Sequence, residues 1–152
     1  VVSLETQDVH VVASLLRLWL IQLPEPLLTY NKYNDIVNAC KAEDQGKALS
    51  AIFSTLPRSN WITSQRLLKF LSVLIGKDST LTPTIAVAFG PAVLRPRRRE
   101  GQLRSLLEDL PLITDSIECI IANLDKAFAK DNEPAEEKPQ MWEGVEQQEE
   151  AE

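Results

Sequence analysis

Histidine is almost missing from this chain, cysteine and methionine are scarce, and no apolar run is long. Each shortage removes a class of function. His10 is the only histidine. With no second histidine and no nearby cysteine it is a poor metal ligand or acid–base catalyst. The two cysteines, Cys40 and Cys119, lack CxxC or Cys/His spacing, so they read as buried thiols in a reducing compartment. The apolar runs are broken by Arg, Gln, Ser or Pro within a few positions and fall well short of the roughly 20 residues that span a bilayer. The opening residues VVSLETQDVH have neither a basic stretch nor a long apolar one, so no signal peptide is read there. The single methionine is Met141, and a chain without an initiator methionine is expected to be a piece of something longer.

What is present suits one soluble domain with a real core: 152 residues, of which 44% are hydrophobic and 25% charged. The net charge of −6 is unevenly spread. Residues 131–152 hold nine acids and one base, a net −8, whereas residues 1–130 hold 15 bases and 13 acids, a net +2. The body is slightly basic and the low pI belongs to the tail. That tail, DNEPAEEKPQMWEGVEQQEEAE, has too few aliphatic residues to offset the entropy of ordering. The expected organisation is a helical body over 1–130 and a disordered acidic tail over 131–152.

Within the body, apolar residues recur at helical spacing between proline and glycine punctuation. Asp8 is placed to cap a first helix reaching Leu23, with Val9, Val12, Leu16, Trp19, Leu20 and Leu23 on one side. Pro24 and Pro26 end it. Further helices are expected over Asn31–Cys40, over Gln45–Thr55 and over Asn60–Ile75, with Gly76 beyond the end of the last. A fifth runs from about Thr82, with Pro83 harmless in its first turn, to a stop at Gly90–Pro91. The segment Leu103–Ala129 holds one or two helices, broken near Pro111. No stretch alternates with period two, so the fold class is all-α, with sequential helices packed antiparallel across short loops.

Three stretches carry a resemblance. Asp8 to Leu20 followed by Leu23-Pro-Glu-Pro-Leu-Leu resembles the signature helix and LPEP turn of the RhoGAP family. Leu56-Pro57, Asn60, Leu67-Leu68 and Leu71 resemble that family's next motif, and Leu81-Thr82 through Phe89-Gly-Pro-Ala-Val-Leu-Arg-Pro its third. The order and spacing of all three make the match specific. It implies a RhoGAP-like helical bundle that binds a Rho/Rac/Cdc42-type small GTPase and, in an intact parent, stimulates GTP hydrolysis in signal transduction. GTP and Mg would belong to the GTPase, and no cofactor or metal is implied for this chain. In the family an arginine finger, worth on the order of 10³–10⁵ in rate or roughly 4–7 kcal/mol, precedes the signature helix. The residues before Asp8 contain no arginine. The chain is therefore expected either to lack an upstream segment or to be a binder without catalysis, and no catalytic residue is assigned.

The resemblance makes Arg17, Thr84 and Pro91 the GTPase-binding candidates. Arg17 stands where the family carries Lys and keeps the charge as a planar fork. Ile21 stands where it carries a second basic residue and keeps nothing polar, and Thr84 stands where it carries Asn. Without the family, Arg17 reads as a solvent-facing arginine, Thr84 as a helix-start hydroxyl with a local bond, and Asn60 as a helix cap. Arg95, Arg97, Arg98, Arg99 and Arg104 form a basic cluster that is either a solvated loop or a patch for anionic lipid, at roughly 1 kcal/mol per base. No aromatics interleave with these arginines, so nucleic acid ranks last. The −8 tail is a candidate to fold back on this cluster. Trp142 reads equally as a short partner-binding motif or an inert remnant. The expected location is cytoplasmic with peripheral membrane contact.

Overall fold

Helix α1 (Val9–Gln22) starts where its cap is spelled: the Asp8 carboxylate accepts from the His10 amide at 2.8 Å. The computed structural model describes Ser3, Glu5, residues 8–97 and residues 103–136, with side chains from residue 107 onward in the last stretch. Six more α-helices follow: α2 (Tyr33–Ala39), α3 (Gln45–Phe53), α4 (Arg58–Lys77), α5 (Thr82–Val93), α6 (Leu103–Ala122) and α7 (Leu124–Ala127). Single 3-10 turns lie at Ser79–Leu81 and Lys130–Asn132. Among the described residues there is no strand, as the all-α expectation required. The packing is only partly sequential. α5 lies most extensively against α6, but α3 pairs with α7 and α1 with α5.

Several boundaries differ from the sequence expectation for local reasons. α4 begins at Arg58, so Asn60 is no cap; its side-chain amide donates to the Leu27 carbonyl at 3.0 Å and ties the helix to the turn that follows α1. Gly76 lies inside α4, which ends at Lys77. The Asp78 carboxylate then accepts from the Thr80 amide (3.0 Å) and hydroxyl (2.6 Å), turning the chain into the 3-10 segment. The expected stop at Gly90–Pro91 is not there, because α5 runs through Pro91 to Val93. The residue before a proline resists the helical region because its own side chain meets the ring, and Gly90 has no side chain to clash. The bond that Pro91 cannot donate would have gone to Val87, which is 48% exposed and can be hydrated instead. Pro111 likewise sits inside α6 without breaking it. Its missing partner would be Leu107, 79% exposed.

The core is one cluster drawn from every α-helix. At its centre Phe128 stacks 4.7 Å from Phe53 and meets Trp61 edge-on at 5.6 Å, arrangements that aromatic quadrupoles favour. α5 faces inward with Ala86, Gly90 and Ala92, small residues that let α6 approach. A Cβ on Gly90 would lie 2.9 Å from Ile113 Cγ2. α1 contrasts with the rest: of its 14 residues only Leu20 is fully buried. Val11, Leu15 and Leu18 follow one exposed stripe.

The body also extends past the expected boundary at residue 130. The Asn132 amide bonds the Ser50 hydroxyl, and Glu133 and Glu136 both pair with Arg58. The disorder expected beyond Glu136 concerns residues outside those described.

Candidate functional site

The turn after α1 holds the ends of three helices. Leu23 to Thr29 carries two prolines that cannot continue the helix, and Pro26, Leu27, Leu28 and Thr29 are buried beneath it. The Glu25 carboxylate accepts from the Tyr30 amide at 3.1 Å, closing the turn on itself. The Leu28 amide donates to the Val93 carbonyl (3.1 Å), joining the turn to the end of α5. The Asn60 amide reaches Leu27 from the start of α4. Thr29 pays for this convergence with φ of +62°, the left-handed region that β-branched residues avoid. It is held there by burial and by its amide bond to Pro26 at 2.9 Å.

Arg95 locks the same junction from above. Its guanidinium donates to Pro91 (3.3 Å) and Ala92 (3.4 Å) at the end of α5, and to Ile21 (3.4 Å) and Leu23 (3.1 Å) at the end of α1. One cation thus answers the unpaired carbonyls and negative poles of two helix C-termini. Its carbon also lies 5.9 Å from the centre of the Tyr30 ring, and that of Arg97 lies 5.4 Å from it. Arg95 is therefore half-buried and engaged, whereas Arg97 is exposed. Arg98 and Arg99 lie outside the described residues, as does the side chain of Arg104.

This clamp fixes α1 against α5 and opens a groove of about 530 Å³ between them, lined by Arg17, Pro83, Thr84, Val87 and Ala88. Two of the three predicted binding residues, Arg17 and Thr84, thus line one surface. The third, Pro91, sits two turns on, half-buried, with its carbonyl taken by Arg95. The hydroxyl that makes a local bond at the helix start is that of Thr82, to Ser79 at 3.0 Å. Thr84 is exposed in the groove. Ile21, one turn on from Arg17, is 43% exposed. The groove therefore offers a cationic fork, a hydroxyl and an apolar floor. That combination suits a protein surface carrying an acidic or phosphate group.

Among the described residues, Arg17 is the titratable side chain in the lining of this groove. Cys40 and Cys119 are free, half-buried thiols. Burial, and then the neighbouring Cys119, push the Cys40 thiol up to about 12, which keeps it protonated and unreactive. Burial and the Asp109 carboxylate raise the Tyr33 phenol to about 12; its hydroxyl donates to Asp109 Oδ1 at 3.2 Å. Among the described residues no three His, Cys, Asp or Glu side chains are grouped to hold a metal. Arg95, Glu25 and Asn60 are the residues that sequence reasoning missed or misplaced. Arg95 is the arginine of the third motif, Phe89-Gly-Pro-Ala-Val-Leu-Arg-Pro, but its sequence neighbours Arg97, Arg98 and Arg99 group it with a basic run.

Residues 1–98 match the family described as RhoGAP domain. The chain is 37% identical over 102 residues to Rho GTPase-activating protein 12 of Mus musculus, covering 64% of this chain and 12% of that protein. It is 35% identical over 130 residues to Rho GTPase-activating protein gacP of Dictyostelium discoideum, covering 82% of this chain and 22% of that protein. The chain thus spans less than a quarter of the length of these two relatives. The crystal structure of human Rho GTPase activating protein 15 superposes with a TM-score of 0.73 at 26% identity, covering 84% of this chain and 64% of that one.

Proposed function

Because this chain belongs to the RhoGAP family, we propose that its body recognises a Rho-family small GTPase of the Rho, Rac or Cdc42 type through the groove between α1 and α5. The observation that carries this is the convergence of Arg17 and Thr84, 67 positions apart in sequence, on one groove floored by exposed Val87. Arg17 supplies a planar donor fork to an acidic or phosphate partner, and Thr84 adds one adaptable hydroxyl. The role proposed for the longer protein is regulation of GTP hydrolysis in signal transduction. GTP and Mg belong to the GTPase, and this chain supplies orientation and charge.

A finer proposal concerns location. Arg97 is exposed beside Tyr30, and the sequence goes on with Arg98, Arg99 and Arg104, a basic run whose charge suits an anionic lipid surface. This supports a cytoplasmic protein with peripheral membrane contact. Among the described residues no helix is long and apolar enough to cross a membrane.

The test is equilibrium binding of this chain to Rho-, Rac- and Cdc42-type GTPases in their GTP-like state, with single-turnover hydrolysis measured in parallel. Binding is expected, and Arg17→Ala should weaken it about tenfold, the loss of one charge-assisted contact. Binding without acceleration identifies a recognition module. No binding by the folded chain refutes the proposal.

A further inference from the structure

The outer face of α4 carries an imbalance that the groove does not use. The helix contains Arg58, Arg66, Lys69 and Lys77 and no acid. At about 100° per residue, Ile62, Arg66, Lys69, Phe70, Val73 and Lys77 continue the side begun by Arg58. Two of these are large apolar residues left in solvent: Phe70 is 53% exposed and Val73 55%. A stripe of apolar residues edged by bases is an unpartnered surface for an acidic segment that also carries apolar side chains.

Such a segment begins at this helix. Glu133 Oε1 lies 2.9 Å from Arg58 Nη2, and Glu136 Oε1 lies 3.3 Å from Arg58 Nη1. Glu136 lines a groove of about 340 Å³ with Arg58, Ser59 and Ile62. The chain therefore arrives at the N-terminal end of the stripe already paired to its first base. Residues 137–152 then hold six glutamates and one lysine, with Met141, Trp142 and Val145 as their large apolar residues. Extended chain covers about 20 Å in the six residues from Glu136 to Trp142. Along α4, Arg58 to Phe70 is about 18 Å. An extended segment therefore has the length to bring Trp142 level with Phe70.

We propose that residues 137–152 dock in cis along the outer face of α4, with Trp142 and Val145 covering Phe70 and Val73, and Glu143 and Glu146 beside Arg66, Lys69 and Lys77. The tryptophan supplies most of the buried area. The exposed ion pairs add little each but select this face over others and make the docking sensitive to salt. This inference stands apart from the GTPase reading, because it uses none of the groove residues.

Two-dimensional NMR of the full chain tests it through the indole N–H signals of Trp19, Trp61 and Trp142, with Trp142→Phe identifying the last. The Trp142 signal is expected away from its position in a free peptide of residues 137–152. A double Arg66→Glu/Lys69→Glu variant, and separately Phe70→Ser, should return it to the free-peptide position. The Trp61 signal, from the core, should stay unmoved and certify the fold. Arg97→Glu should leave Trp142 in place. The proposal is overturned by a Trp142 signal that already coincides with the free peptide, or one that the α4 variants leave in place. Release by Arg97→Glu alone would overturn it by placing the segment on the other arginines. A concentration-dependent position would do so by indicating docking on a second copy.

Discussion

Replacing Arg95 with methionine keeps most of the side chain's length and removes the guanidinium that ties α1 to α5. A tally of its four acceptor carbonyls would overstate the loss. Only the Leu23 contact, at 3.1 Å, lies within the ordinary N–H···O range; those to Pro91, Ala92 and Ile21 are 3.3–3.4 Å and count as weak. One charge-assisted bond is worth about 1.5–3 kcal/mol. The low end applies because the side chain is only half-buried. A cation at a helix C-terminus adds about 0.3–1 kcal/mol. The expected cost of Arg95→Met is therefore roughly 2 kcal/mol, and Arg95→Lys should recover about half by restoring charge without the fork. Urea unfolding followed by circular dichroism measures it as a lower midpoint at unchanged slope, and thermal unfolding as a fall of roughly 4–8 °C. A methionine variant within about 0.5 kcal/mol of the parent would refute the clamp. A lysine variant as stable as the parent would refute the claim that its fork geometry matters.

Three other perturbations follow from the same packing. Gly90→Ala places a methyl 2.9 Å from Ile113 Cγ2 and 3.5 Å from Ile117 Cγ1 and adds the pre-proline clash, so it should cost about 1–3 kcal/mol in chemical denaturation; unchanged stability would contradict the close α5–α6 approach. Ser64→Ala removes a hydroxyl that is fully buried with no partner among the described groups, and stability should hold or rise by up to about 1 kcal/mol; a clear loss would mean the hydroxyl is bonded. Tyr33 is held neutral by burial first and then by Asp109, its phenol raised from 10.0 to about 12. The folded state then binds the proton more tightly than the unfolded one, so this contribution to stability is complete below pH 10 and lost as pH rises from 10 to 12. Ultraviolet titration should show Tyr33 ionising near pH 12, and Tyr33→Phe should flatten the stability decline in that window.

How much of this was legible in the sequence depended on how far apart the interacting residues lie. The cap at Asp8, the helical period of α1 and the proline in the first turn of α5 are local signals, and each appears in the structure. The helix stops assigned to Gly90–Pro91 and Pro111 failed because a proline breaks a helix only when its neighbours make it do so. Gly90 relieves the clash, and the acceptors at Val87 and Leu107 are exposed to water. Asn60 looked like a cap because its bond to Leu27 crosses from one element to another. Arg95 looked like one of a run of surface charges because two of its acceptors lie more than 70 residues earlier in the chain. At the groove, the family motifs named Arg17 and Thr84, but nothing in their spacing said that they would face each other across α1 and α5.

The sparse burial of α1 bears on motion. Its only fully buried residue, Leu20, lies two residues before the helix ends, and Arg95 and the LPEP turn fasten that same end. The helix is anchored like an arm at one joint. Its opening free energy should therefore rise along its length, with amide exchange fastest near Val9, which is 79% exposed, and slowest toward Leu20. Arg17 sits one turn short of the anchor, so the α1 wall of the groove can yield toward a partner while the α5 wall, backed by α6, stays fixed. Contact along the Val11–Leu15–Leu18 stripe would stiffen the arm and lower the entropy lost when the groove is filled, coupling two surfaces that share no residue.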